Sequence, residues 1–230
     1  MRSVYQQKYV PQPSAEIDPV RLRKRLIASL KGKGITNNAV LAAMEAIPRH
    51  LFVTGAWKAH AYEDRALPIG NGQTISQPFM VARMLEFLEV ESGMSVLEVG
   101  MGSGYQTALL GSMGCSVYAI ERLRDLYLKA VPRFKKLGLR NIYAHCGDGT
   151  LGFPQAAPFN RIIVAAGGPA IPQPLINQLA PDGVLLIPVG DRPRSQRLAR
   201  LRLKHGKVLH EDLGPAIFVN LVGDLGWETV

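Results

Sequence analysis

Leu97-Glu98-Val99-Gly100-Met101-Gly102-Ser103-Gly104-Tyr105 decides how the rest of the chain is read. A short apolar run meets glycines at alternate positions and then opens a helical pattern through about Met113. Glycines at such a turn permit positive φ and let a ligand approach the backbone, while the helix that follows offers free N–H groups at its start. No Lys-Ser or Lys-Thr follows, which excludes a P-loop. A dinucleotide fingerprint would need its third glycine where Tyr105 stands, so that reading is broken too. The Gly-x-Gly-x-Gly spacing, with Glu98 ahead of it, fits a ligand without phosphates, of which S-adenosylmethionine is the obvious one.

Two acids further along support a nucleoside. Glu121 ends the next apolar run, about twenty residues past the first glycine, where a carboxylate accepts both ribose hydroxyls. Asp148, in Gly147-Asp148-Gly149, ends the third, within reach of an adenine amino group. Singly, such a glycine turn is often just a turn and such an acid a helix cap. Together, at matching strand ends, they favour a nucleoside-type cofactor.

Outward from this centre, residues 95–99, 116–120, 142–146, 161–165 and 183–189 read as strands. Helical patterns over 123–137 and 172–179 lie between them. Strands alternating with helices mean crossover units and a parallel sheet covered on both faces. Residues 198–203 and 217–222 lack an intervening helix and are expected to close the sheet as an antiparallel pair. Upstream, Val20, Leu22, Leu26, Ile27 and Leu30 recur at helical steps until Gly32 and Gly34. Asn37 or Asn38 begins a second helix ended by Pro48, residues 61–78 read as a long ordered loop, and 79–88 as a helix. The expected division is a flexible N-terminal arm over 1–17 and one α/β domain over 18–230. Within it, 18–90 form a helical extension with a substrate and cofactor loop, and 91–230 form the sheet core.

Composition agrees. The chain has 230 residues, 47% hydrophobic and 20% charged, with mixed-structure globular character. No apolar run approaches the length of a membrane span, and the first twenty residues hold no apolar leader, so a cytoplasmic protein without membrane association is expected. Cys115 and Cys146 offer neither a disulfide framework nor metal spacing. His50, His60, His145, His205 and His210 show no paired spacing either, and no metal is expected. The net charge of +9 is concentrated in an early cluster, Arg21 to Lys33, and a late one, Arg192 to Lys207. Neither is interleaved with base-stacking aromatics, so solvated faces are expected rather than a nucleic-acid partner.

Ala61-Tyr62-Glu63-Asp64-Arg65-Ala66-Leu67-Pro68-Ile69-Gly70-Asn71-Gly72-Gln73-Thr74-Ile75-Ser76-Gln77-Pro78 resembles the hallmark of the protein-L-isoaspartate O-methyltransferases. The resemblance runs from about Val20 to Trp227 and takes in Ile47-Pro48-Arg49-His50-Leu51-Phe52-Val53 and Leu186-Ile187-Pro188-Val189-Gly190. It implies a Rossmann-like class I methyltransferase fold and methyl transfer from S-adenosylmethionine, leaving S-adenosyl-L-homocysteine. The acceptor would be the α-carboxylate of isoaspartyl residues in damaged proteins and peptides, and the enzyme is expected as a monomer. By the same resemblance Ser76 is the active-site hydroxyl. Thr74, Gln77, Glu98, Gly100, Gly102, Gly104, Glu121, Asp148 and Gly149 face the cofactor, and Ala166, Gly167 and Asn220 the substrate.

Two stretches depart from the family's pattern. Ala165-Ala166-Gly167-Gly168-Pro169-Ala170 replaces a threonine or glycine followed by alanines and an acid, and Asn220 replaces a proline. Looser peptide seating at Gly167 and Gly168 and altered acceptor preference at Asn220 are the expected consequences. A methyltransferase with another carboxylate or hydroxyl acceptor, and a non-catalytic basic nucleic-acid binder, are the alternatives. Asn71-Gly72 is also the dipeptide most prone to succinimide formation, unless an ordered turn holds it away from ring closure.

Overall fold

The structure, a computed structural model, describes residues 18–228. The arm expected over 1–17 lies outside the described residues. Helix α1 (Pro19–Gly32) starts on Asp18, whose carboxylate accepts the Val20 N–H at 2.9 Å. Pro19 sits in the first turn, where a missing N–H costs nothing. Helix α2 (Asn38–Ala46) is capped by Asn37, which accepts from Ala39 N and Val40 N, and Pro48 follows its end. Both present apolar stripes to one core, through Leu26, Ile27 and Leu30 on α1 and Val40, Leu41 and Met44 on α2.

Residues 61–78 are not a loop throughout. Strands β1 (Leu67–Gly70) and β2 (Gln73–Ile75) pair as an antiparallel hairpin before α3 (Pro78–Leu88). At its tip Asn71 has φ 52° and Gly72 φ 70°, the pair of left-handed residues that a tight type I′ turn demands. Asn71-Gly72 is therefore the tip of an ordered hairpin. Strands this short show no alternation of hydropathy, which hid them in the sequence.

From there the chain runs β3 (Ser95–Val99), α4 (Tyr105–Ser112), β4 (Ser116–Glu121), α5 (Arg124–Lys136), β5 (Ile142–Cys146), β6 (Phe159–Val164), α6 (Gln173–Asn177), β7 (Leu179–Arg192), β8 (Ser195–Lys204) and β9 (Lys207–Ala216). The strands form one seven-stranded sheet in the order β5-β4-β3-β6-β7-β8-β9. Pairings from β5 across to β7 are parallel, and those of β7 with β8 and β8 with β9 are antiparallel. Adjacent strand residues face opposite layers. Val96, Ile163 and Leu186 pack with the N-terminal helices, while Leu97, Ile162 and Leu185 pack with Leu175 of α6. Strand order reverses at β3, with β4 on one side and β6 on the other, which opens a crevice at the carboxyl ends of those strands.

The closing strand is β9, not residues 217–222. β9 is the sheet's edge and is mostly exposed, so it is built from charged residues such as Lys207, Glu211 and Asp212 that no hydropathy pattern reveals. Residues 217–222 instead run past the end of β6, where Gly167 N donates to Val219 O and Leu221 N to Gly167 O, each at 2.8 Å. Three arginines of the late basic cluster are ion-paired here. Arg197 meets Asp212, Arg200 meets Glu211 and Glu89, and Arg202 meets Glu89. Among the described residues no helix is long and apolar enough to cross a membrane.

Gly104, at the start of α4, has φ 86°, and a Cβ there would lie 2.7 Å from the Phe134 ring. Gly104→Ala combines a left-handed penalty with overpacking and should cost about 2–4 kcal/mol. Urea unfolding measures this.

Candidate active site

The glycine turn is built from the end of β3. Gly100, Gly102 and Gly104 all have positive φ, which bends the chain back so that Gly100 N and Met101 N both donate to Ile120 O on β4. Glu121, at the end of β4, is only 6% exposed. Its Oε2 accepts from Gly102 N at 2.7 Å and its Oε1 from Leu123 N at 2.8 Å. The carboxylate thus fixes the turn while facing the crevice.

Three adjoining hollows open here. The first, over the strand tips, is lined by Thr74, Gly100, Gly102, Glu121, Arg122, Gly149, Ala166 and Asn220 among others. The second is a small chamber bounded by Ser76, Glu98, Met101, Gln106 and the glycine turn. The third is an outer cleft of about 680 Å³, reached by Asp64, Arg65, Ser76, Gln77, Met80, Arg194 and Phe218. Thr74 and Ala165 border all three, and Ser76 stands between chamber and outer cleft. Its hydroxyl makes no hydrogen bond among the described residues.

Glu98 lies under the chamber with no solvent exposure. Its Oε1 accepts from Gln106 Nε2 at 3.0 Å, and its Oε2 makes no hydrogen bond of normal geometry among the described residues. Burial pushes this carboxyl up to about 8, against the pull of the Thr107 and Gln106 side chains and with the help of the nearby Glu121 charge. The folded protein therefore holds a proton that the unfolded chain releases near its ordinary value of about 4.5. Between these values the proton-bound fold loses stability as pH rises. Glu98→Gln should leave the melting temperature unchanged at pH 5 and raise it at pH 9, read by calorimetry without ligand.

Several expected site residues sit elsewhere. Gly104 lines none of the hollows; its bare Cα faces Phe134 and Ala130. Gln77 is in the outer cleft, away from the strand tips, with its amide donating to Asp64 O at 3.1 Å. Asp148 is spent on structure. Its Oδ1 accepts from Thr150 N and Oγ1, and its Oδ2 from Asp224 N, tying the C-terminal segment down. Burial opposes its ionisation, but these bonds outweigh burial and hold the carboxyl below its ordinary range. Gly149 beside it does reach the crevice; a Cβ there would strike Val99 at 2.4 Å.

The two departures from the family pattern also change meaning. Gly167 does not slacken the site. The Gln196 side chain fills the space of a missing methyl, 2.7 Å from where a Cβ would stand, and Trp227 Nε1 donates to Gly167 O at 2.9 Å. Asn220 lines the crevice over the strand tips rather than the outer cleft. The ladder past Gly167 uses Val219 O and Leu221 N, leaving the residue 220 N–H free. That is why a proline fits there. Asn220→Pro should change stability by less than about 1 kcal/mol and shift the KM of the methyl donor rather than that of the acceptor. Denaturation and initial-rate kinetics with each substrate varied check both.

Sequence reasoning missed Arg49, which is fully buried and makes no ion pair among the described residues. Its Nε donates to Ala61 O at 2.8 Å and its Nη2 to Arg65 O at 3.4 Å, and its guanidinium lies over the Tyr105 ring. An arginine in a short apolar stretch gives no hint of such burial.

A profile of the family described as Protein-L-isoaspartate(D-aspartate) O-methyltransferase (PCMT) matches residues 21–226. The chain belongs to this family. The protein-L-isoaspartate O-methyltransferase of Dictyoglomus turgidum is 47% identical over 90% of this chain and 93% of its own length. That of Methanoculleus marisnigri is 46% identical over 93% and 97%. Among solved structures, a protein-L-isoaspartate O-methyltransferase superposes with a TM-score of 0.83 at 29% identity, over 89% of this chain and 67% of that one. A Plasmodium falciparum chain in complex with S-adenosyl-L-homocysteine superposes at 0.75 and 26% identity, over 87% and 98%. The hairpin carrying Thr74 and Ser76 lies within the matched span, as do the glycine turn and Glu121.

Proposed function

We propose that this chain transfers a methyl group from S-adenosylmethionine to the free α-carboxylate of L-isoaspartyl residues in damaged proteins and peptides. The observation that carries the reading is the place of Ser76, a hydroxyl without a hydrogen bond among the described residues, between the small chamber over Glu98 and the outer cleft of about 680 Å³. The residues fit the donor. Glu121 offers acceptors for ribose hydroxyls, Gly100, Gly102 and Gly149 give bare backbone for close approach, and the orphaned Oε2 of Glu98 is an acceptor awaiting a cationic donor group. A cation beside Glu98 would favour its ionised form.

When bound, S-adenosylmethionine supplies an electrophilic methyl on a sulfonium. The acceptor carboxylate is already ionised at neutral pH, with an ordinary pKa of about 4, so the protein need supply no general base. Its task is to hold oxygen and methyl in line at about 3–3.5 Å and to exclude water. Ser76 can orient the carboxylate with one neutral hydrogen bond, which leaves the oxygen nucleophilic. The methyl ester formed is a better electrophile than a carboxylate. The next backbone nitrogen can then close a succinimide with loss of methanol, and hydrolysis returns some normal aspartate. One catalysed step therefore suffices to start repair.

Labelled methyl transfer to paired peptides differing only in aspartyl or isoaspartyl linkage tests the reading. Incorporation into the isoaspartyl member alone is expected; equal incorporation would overturn it. Ser76→Ala should lower kcat on the isoaspartyl peptide by about tenfold to hundredfold, the cost of a misplaced nucleophile, while donor affinity measured by calorimetry stays within a few-fold.

A further inference from the structure

The outer cleft beside Ser76 holds an unexplained cation. Three charged side chains line it, Asp64, Arg65 and Arg194. Two are already occupied. Asp64 accepts from Phe79 N at 2.8 Å and pairs with Lys33 at 2.5 Å, and Arg65 pairs with Glu63 at 2.5 Å while lying over Trp57. Arg194 alone makes no ion pair and no side-chain hydrogen bond among the described residues.

Its backbone sharpens the question. β7 and β8 are joined by a two-residue turn, Pro193-Arg194, between the paired residues Arg192 and Ser195. Arg194 has φ 62°. A turn with proline at its second position and a left-handed third residue is normally served there by glycine or asparagine. An arginine is among the less favourable choices for such a backbone, and an outlier of this kind motivates a search for a role. Arg194 lines the same cleft as Ser76, and no side chain among the described residues neutralises it there.

We propose that Arg194 is a specificity-determining residue that reads a carboxylate on the acceptor peptide close to the isoaspartyl position. With the reacting carboxylate at Ser76, an extended peptide advances about 3.3 Å per residue along the outer cleft. The long, mobile guanidinium can meet an acidic side chain a short way along it. Peptides bearing Glu or Asp near the damage are then favoured over those bearing Lys. The inference rests on the outer cleft being the acceptor site.

The test compares isoaspartyl peptides identical except for Glu, Gln or Lys at one flanking position, placed in turn on each side of the isoaspartate. For the unaltered enzyme the kcat/KM ratio of the Glu to the Lys peptide should be about five- to tenfold at one of these positions, the effect of gaining one exposed ion pair and losing one repulsion. The ratio should arise in KM and shrink as salt is added. Arg194→Gly and Arg194→Asn, residues the turn prefers, should fold normally and bring the ratio close to one, while Arg194→Lys should keep part of it. An unchanged ratio in Arg194→Gly, or an equal loss on all three peptides, overturns the proposal. Failure of the site reading itself shows separately: Ser76→Ala would then leave transfer to every peptide intact.

Discussion

A buried cation with no ion pair among the described residues holds the two halves of the site together. Arg49 has its guanidinium against the Tyr105 ring, at the start of the helix that follows the glycine turn, and donates to the carbonyls of Ala61 and Arg65 in the hallmark stretch. Burial lowers this guanidinium to about 10, which leaves it charged at neutral pH. A charge so placed is tolerable because carbonyl dipoles and a ring face replace its water and the Asp64 carboxylate acts on it from further off. The hairpin bearing Thr74 and Ser76 follows directly from Ala61 and Arg65. Its position over the strand tips therefore depends on Arg49. Arg133 adds to the same junction by donating to Ser103 O while lying over Phe52, which packs edge-on to Tyr105.

Acidic side chains around the site are divided between structure and chemistry by what else they must satisfy. Glu121 and Asp148 stand at corresponding strand ends, yet Asp148 accepts three bonds from Thr150 and Asp224 while Glu121 lines the crevice as well as bonding the glycine turn. Glu98 is the opposite case, a carboxyl with one oxygen left without a donor. The basic residues divide in the same way. Arg197, Arg200 and Arg202 of the late cluster meet acids, whereas Arg194 of the same cluster lines the outer cleft without an ion pair among the described residues.

Much of this was legible without coordinates. Ser95–Val99 and Ile142–Cys146 both match the runs read from the sequence residue for residue; the first is a buried central strand with continuous hydropathy, whereas the second is a half-buried edge strand. The hairpin at 67–75 was not legible, being too short for periodicity, nor was β9, whose edge position permits charged residues. Asn220 is expected from the sequence to face the substrate, and in the fold it lines the hollow over the strand tips. Which hollow a residue lines depends on the path of 217–222 past Gly167, and that path is set by two backbone hydrogen bonds with no side-chain signature.

Local chemistry written along the chain determined the alternating strands and helices, the glycine turn, the acid after β4 and the hallmark hydroxyl. Each depends on residue type at short spacing. Only the tertiary structure decided which acid lines the crevice, which glycine borders it rather than a phenyl ring, and which arginines meet a carboxylate. Those answers depend on neighbours brought from distant parts of the sequence, as when Asp224 takes the carboxylate of Asp148 and Gln196 occupies the space beside Gly167.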